Sequence, residues 1–396
     1  MPDDVLRLHK LSAVDTWMFG SGQPFNQDDE GLSQVRSIFP PLPSSVFGAL
    51  RAAYARAAGW DGISRWDSKD ANAFTDLGNG LKDLGCLSAC GPFVSSKEGS
   101  IVKYWIPAPH ALAVKMNGLN VAETTRADPI KTGFKTDLGL EHLCQVRDKN
   151  PETFKSAHGF WLSFEGLAAY LKAEEVPKTQ SLRSPGAFIH REHRVGLEIN
   201  PKTGTAAKGM LYSASHLRPG KEISLVMRWQ MSKPKHNWDE VSGLHPLGGE
   251  SRLANIETLE ANIDPVTKIK RMSEKAVNKM KEGRYSVVLL TPLPLQETKL
   301  NGNGLFKALN LPGKLVTLST HGIERIGGQD DNGSTASVPA LPAGTVLFGI
   351  ANEKNDVSDL LDQIPIGLGQ DLDKRHGFGG FALGTWNLER KNEQDK

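Results

Sequence analysis

The chain has 396 residues, 47 Lys and Arg against 45 Asp and Glu, and 39% hydrophobic residues. That length implies two domains with a substantial core, and a net charge of +2 excludes a chain that is basic or acidic throughout, so any electrostatic footprint is local. Cys86, Cys90 and Cys144 form no CxxC pair or disulfide framework and MPDDVLRLHK holds no long apolar run, which points to a cytoplasmic protein without signal peptide or membrane span.

Residues 5–19 read as a strand, followed by the loop GSGQPFNQDDEGLSQVRS. Pro40, Pro41 and Pro43 delay helix until Ser44 or Ser45 can act as N-cap. Val46, Leu50, Ala53 and Ala57 then recur at helical spacing, and Gly59 supplies the stop. The free N–H groups and dipole of such a helix start make an anion site, with Arg51 in the second turn to reinforce it. Trp17, Phe19 and Phe25 flank the first loop, placed either to stack on bases or to pack beneath it.

The middle of the chain reads as β-rich. RVGLEI, the turn NPKTGT and GMLYSASHLR predict a hairpin, with EISLVMRW as a further strand. From Lys178 to Lys235 there are eleven Lys and Arg against three Glu, and from Lys268 to Arg284 seven basic residues against two acidic. The first block suits phosphate contact, whereas the second reads first as a solvated helix face. A second strand-first unit opens at Tyr285, passes through AGTVLFGI and the helical VSDLLDQIPIG, and closes on DKRHGFGGFALGTW. This pattern predicts an α+β protein of two ferredoxin-like (RRM-like) domains with insertions and a C-terminal glycine-rich loop. The boundaries fall at residues 1–262, a basic helical linker over 263–284, and 285–396.

Gly377-x-Gly379-x-x-Ala382 matches a relaxed dinucleotide fingerprint, but only fourteen residues follow Ala382, too few for the βαβ unit which that motif requires. The loop is then either an anion contact, with Lys374, Arg375 and His376 before it, or a turn ahead of a strand. His190 and His193 point to opposite faces if their segment is extended, so they do not make a metal site, although one could serve as a general base. Glu250 in LGGE reads as a turn residue paired with Arg252. No G-x-x-x-x-G-K-[ST], HExxH or G-x-S-x-G occurs, so neither a catalytic residue nor a metal or other cofactor is expected.

Six segments in order carry a family resemblance: DTWMFGSGQPF, SIFPPLPSSVFGALR, HRVGLEINPKTGTAAKGMLY, PLGGESRLANIE, IGGQDDNG with PAGTVLF, and HGFGGFALGTW. Together they resemble the RAMP-superfamily subunit of type III-B CRISPR effector (Cmr) complexes that grips the 5′ end of the guide RNA. The resemblance implies a non-catalytic, RNA-binding scaffold in a hetero-oligomeric ribonucleoprotein. Its partners would be the 5′ tag of the crRNA, the large polymerase-like subunit and a neighbouring RAMP backbone subunit, with no membrane. By position Arg51, Arg194, Gly377, Gly379 and Gly380 match family motifs, and Ser44, Ser45, His190, Arg191, His193, Lys374, Arg375 and His376 complete the expected RNA-binding set. Gly20 stands where many relatives carry an arginine. The competing expectation is a metal-independent endoribonuclease acting on precursor crRNA with His190 or His193 as base; a subunit that contacts only protein is a third.

Overall fold

The computed structural model describes residues 3–20, 34–64, 72–80, 82–136, 138–146, 148, 150–199, 202–295, 302–327, 329–330, 333–334 and 337–387. Phe25, Asn200, Pro201 and part of IGGQDDNG lie outside these. The elements that position the site are, in the first half, β1 (Val5–Ala13), α1 (Pro43–Ala57), β2 (Leu87–Glu98), β3 (Ile101–Pro107), β4 (Ile189–Ile199), β5 (Ala206–Pro219), β6 (Ile223–Met231) and β7 (Leu253–Leu259). The second half supplies α2 (Pro265–Val277), β8 (Arg284–Leu289), β9 (Lys314–Ser319), β10 (Val346–Ile350), α3 (Asp371–His376) and β11 (Phe381–Thr385).

Strands β3, β2, β6, β1 and β7 lie side by side, antiparallel, within an eight-stranded sheet. Strand β6 reads as a nearly continuous apolar run because its alternate side chains are buried on opposite faces of the sheet. Leu225, Met227 and Trp229 pack with Val46, Phe47, Leu50 and Tyr54 of α1, while Val226 joins the core shared with the second half. The sheet is therefore covered on both faces. Trp17 and Phe19 are buried in the core on the α1 side, Trp17 stacked on Phe39, which leaves neither ring for bases.

The second half is built on a four-stranded antiparallel sheet in the order β9, β10, β8, β11. Numbered by position in the chain, its strands run second, third, first, fourth, and β2, β6, β1 and β7 repeat that order in the first half. The basic segment forms α2, with Pro265 in its first turn and Asp264 accepting from Val266 N at 3.0 Å and Thr267 Oγ1 at 2.7 Å. Val266, Ile269, Ser273, Ala276 and Val277 form its buried stripe, and Ser273 Oγ accepts from Leu383 N of β11 at 3.0 Å.

Two local expectations are corrected. Helix α1 begins at Pro43 with Leu42 at the N-cap, so neither Ser44 nor Ser45 caps it. Pro43 has no N–H to be capped and its fixed φ suits the first helical position. Leu42 packs against Ile326, Ala340 and Phe378, and its carbonyl accepts from Ser45 N at 3.0 Å, while the Ser45 residue stays exposed. DKRH is helical rather than loop: α3 ends where Gly377 takes a left-handed φ of 101°. Gly377 N then bonds Lys374 O at 2.9 Å and Phe378 N bonds Asp373 O at 3.1 Å, the paired bonds of a Schellman ending.

Candidate nucleic-acid interface

The predicted hairpin forms: β4 and β5 pair antiparallel from Ile189 opposite Pro219 to Ile199 opposite Ala206. Alternation puts His190, Glu192 and Arg194 on one face beside Arg218 and His216, and turns Arg191 and His193 to the other. The two histidines are therefore split between faces, as their spacing implies. Arg191 donates to Ser37 O at 2.7 Å, tying the hairpin to the segment ahead of α1.

On the first face three arginines converge on Asp15, which follows β1. Arg218 Nη1 lies 2.7 Å, Arg194 Nη2 3.4 Å and Arg252 Nη1 3.8 Å from its carboxylate. Glu192 accepts from Arg218 and, at 3.0 Å, from Arg194. Glu250 Oε2 lies 2.8 Å from Nε2 of the buried His216 and 3.8 Å from Arg252, so Glu250 is the turn residue paired with Arg252 that LGGE suggests. Glu250 and Ser251 both hold φ of 53°, a turn fixed by Gly248, where a Cβ would meet Met18 O at 2.3 Å. The hydrogen bonds from Arg218 and Arg194 hold the Asp15 and Glu192 carboxyls below their usual range, and Glu192 in turn raises both guanidiniums.

Chemically this is a set of planar donor forks held half-exposed at one surface by carboxylates that sum to the opposite charge. A phosphate offers the same bidentate geometry as those carboxylates and would have to compete with them for the forks. Of the expected set, Arg194 belongs here. Arg218, Arg252 and Asp15 were missed; Arg218 was visible only through its register opposite His190, and Asp15 carries no signal in a basic-block reading.

His190 shares the face of Arg194, opposite Arg218, whereas Arg51, Arg375 and His376 have other roles. Arg51 is buried, and its guanidinium donates to Leu77 O at 2.8 Å, Gly78 O at 2.6 Å, Gly80 O at 2.7 Å and Asp83 O at 3.1 Å, which leaves it clamping a loop rather than facing a phosphate. Arg375 donates to Leu87 O at 2.9 Å and Gly85 O at 2.6 Å, docking α3 on the start of β2. His376 bonds Leu372 O at 2.9 Å and packs edge-on against Phe47. Lys374 stays half-buried near Asp371.

The glycine loop is closed to a ligand. Gly377, Gly379 and Gly380 are buried, and besides the two Schellman bonds, Gly379 N donates to Pro292 O at 2.8 Å and Gly380 N to Thr291 Oγ1 at 2.8 Å. A Cβ at Gly377 would stand 2.7 Å from Gly91 O of β2. The four N–H groups from Gly377 to Gly380 are thus taken inside the protein, and the loop meets the first half rather than RNA phosphate.

Among the described residues no group of three or more metal-ligating side chains is placed to hold an ion, and no helix is long and apolar enough to cross a membrane. No curated protein matches the chain. Among solved structures, a chain of the type III-B Cmr-beta complex bound to cognate target RNA and AMPPnP aligns at 15% identity over 96% of this chain and 99% of that one, with a TM-score of 0.48. A Cmr-beta structure bound to cognate target RNA gives 14% identity, the same coverage and a TM-score of 0.49. The apo Cmr-beta structure aligns over 65% of this chain and 98% of that one at 8% identity and a TM-score of 0.28. The model of the CRISPR-associated Cas_Cmr3 family matches residues 9–386. Spanning nearly the whole sequence from β1 to the strand after the glycine loop, that match places the chain in the Cas_Cmr3 family of CRISPR-associated proteins.

Proposed function

We propose that the chain is a non-catalytic, RNA-binding scaffold of the type III-B ribonucleoprotein that grips the 5′ tag of the guide crRNA. In this role it links the large polymerase-like subunit to a neighbouring RAMP backbone subunit during RNA-guided antiviral interference. The repeated strand order in the two halves supports reading each as a ferredoxin-like unit. The observation that carries the RNA assignment is the convergence of Arg194, Arg218 and Arg252 on one half-exposed carboxylate beside the hairpin of β4 and β5. Arginine forks prearranged at a surface are the chemistry that recognises phosphodiesters, and their affinity for a strand falls with salt.

The endoribonuclease alternative needs a single histidine as base, and His190 and His193, on opposite faces of the hairpin, would each serve a different face. The test is equilibrium binding of the purified chain to RNA bearing the guide's 5′ tag across a salt series. Arg194→Ala combined with Arg218→Ala is expected to weaken binding at least tenfold and to flatten the salt dependence by roughly 1.4, from about 0.7 per lost phosphate contact on a single strand. Unchanged affinity in a folded double variant refutes the assignment, and cleavage of precursor RNA in EDTA refutes the non-catalytic role.

A further inference from the structure

A cleft of about 340 Å³ opens where the first sheet meets α2, lined by Arg228 of β6, Val266, Lys270, Arg271 and Glu274 of α2, and Pro365. Its cations are not equivalent. Lys270 is held by Asp362 at 2.8 Å. Arg228 stands opposite Leu8 and Cys90 in the sheet, 3.7 Å from Asp264, whose two oxygens already accept from Val266 N and Thr267 Oγ1. Its Nε is shut off from solvent and has no hydrogen-bond partner. Asp264 balances the charge on the sealed Nε side, so an oxyanion in the cleft meets the guanidinium of Arg228 through its Nη groups. Arg271, one turn along the wall, is exposed and makes no ion pair or hydrogen bond among the described residues. Because Asp264 already caps the helix, the cleft's donors are side chains and not the helix N-terminus.

Glu274 decides what kind of anion fits. It lies on the same wall, unpaired among the described residues, and repels a bare phosphate placed beside it. It accepts a hydroxyl. The matching ligand carries both a phosphate and a hydroxyl donor, with an apolar face for Val266 and Pro365.

We propose that this cleft seats one nucleotide of an RNA strand, with its phosphate on Arg228 and Arg271 and its ribose 2′-hydroxyl donating to Glu274. The partner class rests on the RNA-binding reading above; the site itself is distinct from the Asp15 cluster. A ribose hydroxyl against a carboxylate gives the protein a means to distinguish RNA from DNA, which lacks that donor.

The test is fluorescence anisotropy of the full chain with one labelled sequence made as RNA and as DNA. Arg271→Ala, at an exposed position, is expected to weaken RNA binding about tenfold and to lower the salt slope by about 0.7. Arg228→Lys, which keeps the buried charge and loses the fork, lowers affinity in the same direction. Glu274→Ala is expected to erase the RNA-over-DNA preference while the thermal midpoint holds. An unchanged affinity in Arg271→Ala, or an unchanged RNA-to-DNA ratio in Glu274→Ala, overturns the proposal. If Arg194→Ala with Arg218→Ala weakens binding while Arg271→Ala does not, the cleft alone fails; if neither does, the RNA-binding reading falls with it. AMP bound as tightly as the oligonucleotide assigns the cleft to a free nucleotide and overturns the strand placement.

Discussion

Replacing Arg51 by Ala separates two roles that one arginine can play. In the fold its guanidinium holds four carbonyls of the segment from Leu77 to Asp83, at 2.6–3.1 Å, from within the core beneath α1. Burial lowers its pKa to about 10, opposed by nearby Asp83, so the side chain remains charged at neutral pH. Hydrogen bonds to a charged donor contribute roughly 1.5–3 kcal/mol each, but the four share one side chain and are not additive. Truncation removes the donors that Leu77 O and Gly78 O meet in the interior and opens a cavity, a loss on the order of 4 kcal/mol. At roughly 2 °C per kcal/mol for a chain of this size, the thermal midpoint falls by about 8 °C. Differential scanning calorimetry measures the midpoint, and RNA binding well below it measures the site. The expected result is a destabilised protein whose RNA affinity stays within about twofold of the parent. A variant with an unchanged midpoint and a selective loss of RNA affinity refutes the loop-clamp role and restores Arg51 to the interface.

Gly379→Ala puts a Cβ 2.1 Å from Leu368 O at a φ of 66°, whereas at Gly380 the nearest atom is Thr291 Oγ1 at 3.1 Å. Urea titration should therefore show Gly379→Ala destabilised by about 2 kcal/mol or more and Gly380→Ala by less, with RNA affinity retained in both; the reverse order refutes the buried-loop packing. His9 and His110 are each held at about 4 by desolvation first and neighbouring positive charge second, from an ordinary value of 6.5. Between those values the unfolded chain binds more protons, so stability is full above pH 6.5 and falls as pH drops toward 4, by about 3 kcal/mol for each histidine. A thermal midpoint that stays constant from pH 7 to pH 5 contradicts this.

The sequence shows most clearly what period and punctuation determine. The hairpin at β4 and β5 and the closing strand β11 follow from alternation and turn residues that local sequence fixes, whereas α2 reads from its basic residues as a solvated face and its buried stripe emerges only in the fold. The glycine loop was ambiguous because glycine serves a close backbone contact within the protein and a close approach to phosphate equally well; only the position of Gly91 and Pro292 decides between them. Arg51 misled for a similar reason: the carbonyls that take its donors lie 26 to 32 residues away in a segment with no periodic signal. Asp15 and Arg218 are 203 residues apart, so their meeting is a product of sheet order and invisible to any local window.

The central claim is that the chain holds the guide's 5′ end on the face built by β4, β5 and Asp15. Photo-crosslinking addresses it in the assembled complex, using crRNA with 4-thiouridine in the 5′ tag and mass spectrometry of the adducts. Adducts on peptides containing Arg194 or Arg218, lost when both are replaced by Ala, are the predicted result. A tag that crosslinks only to other subunits, with this chain unlabelled, contradicts the claim.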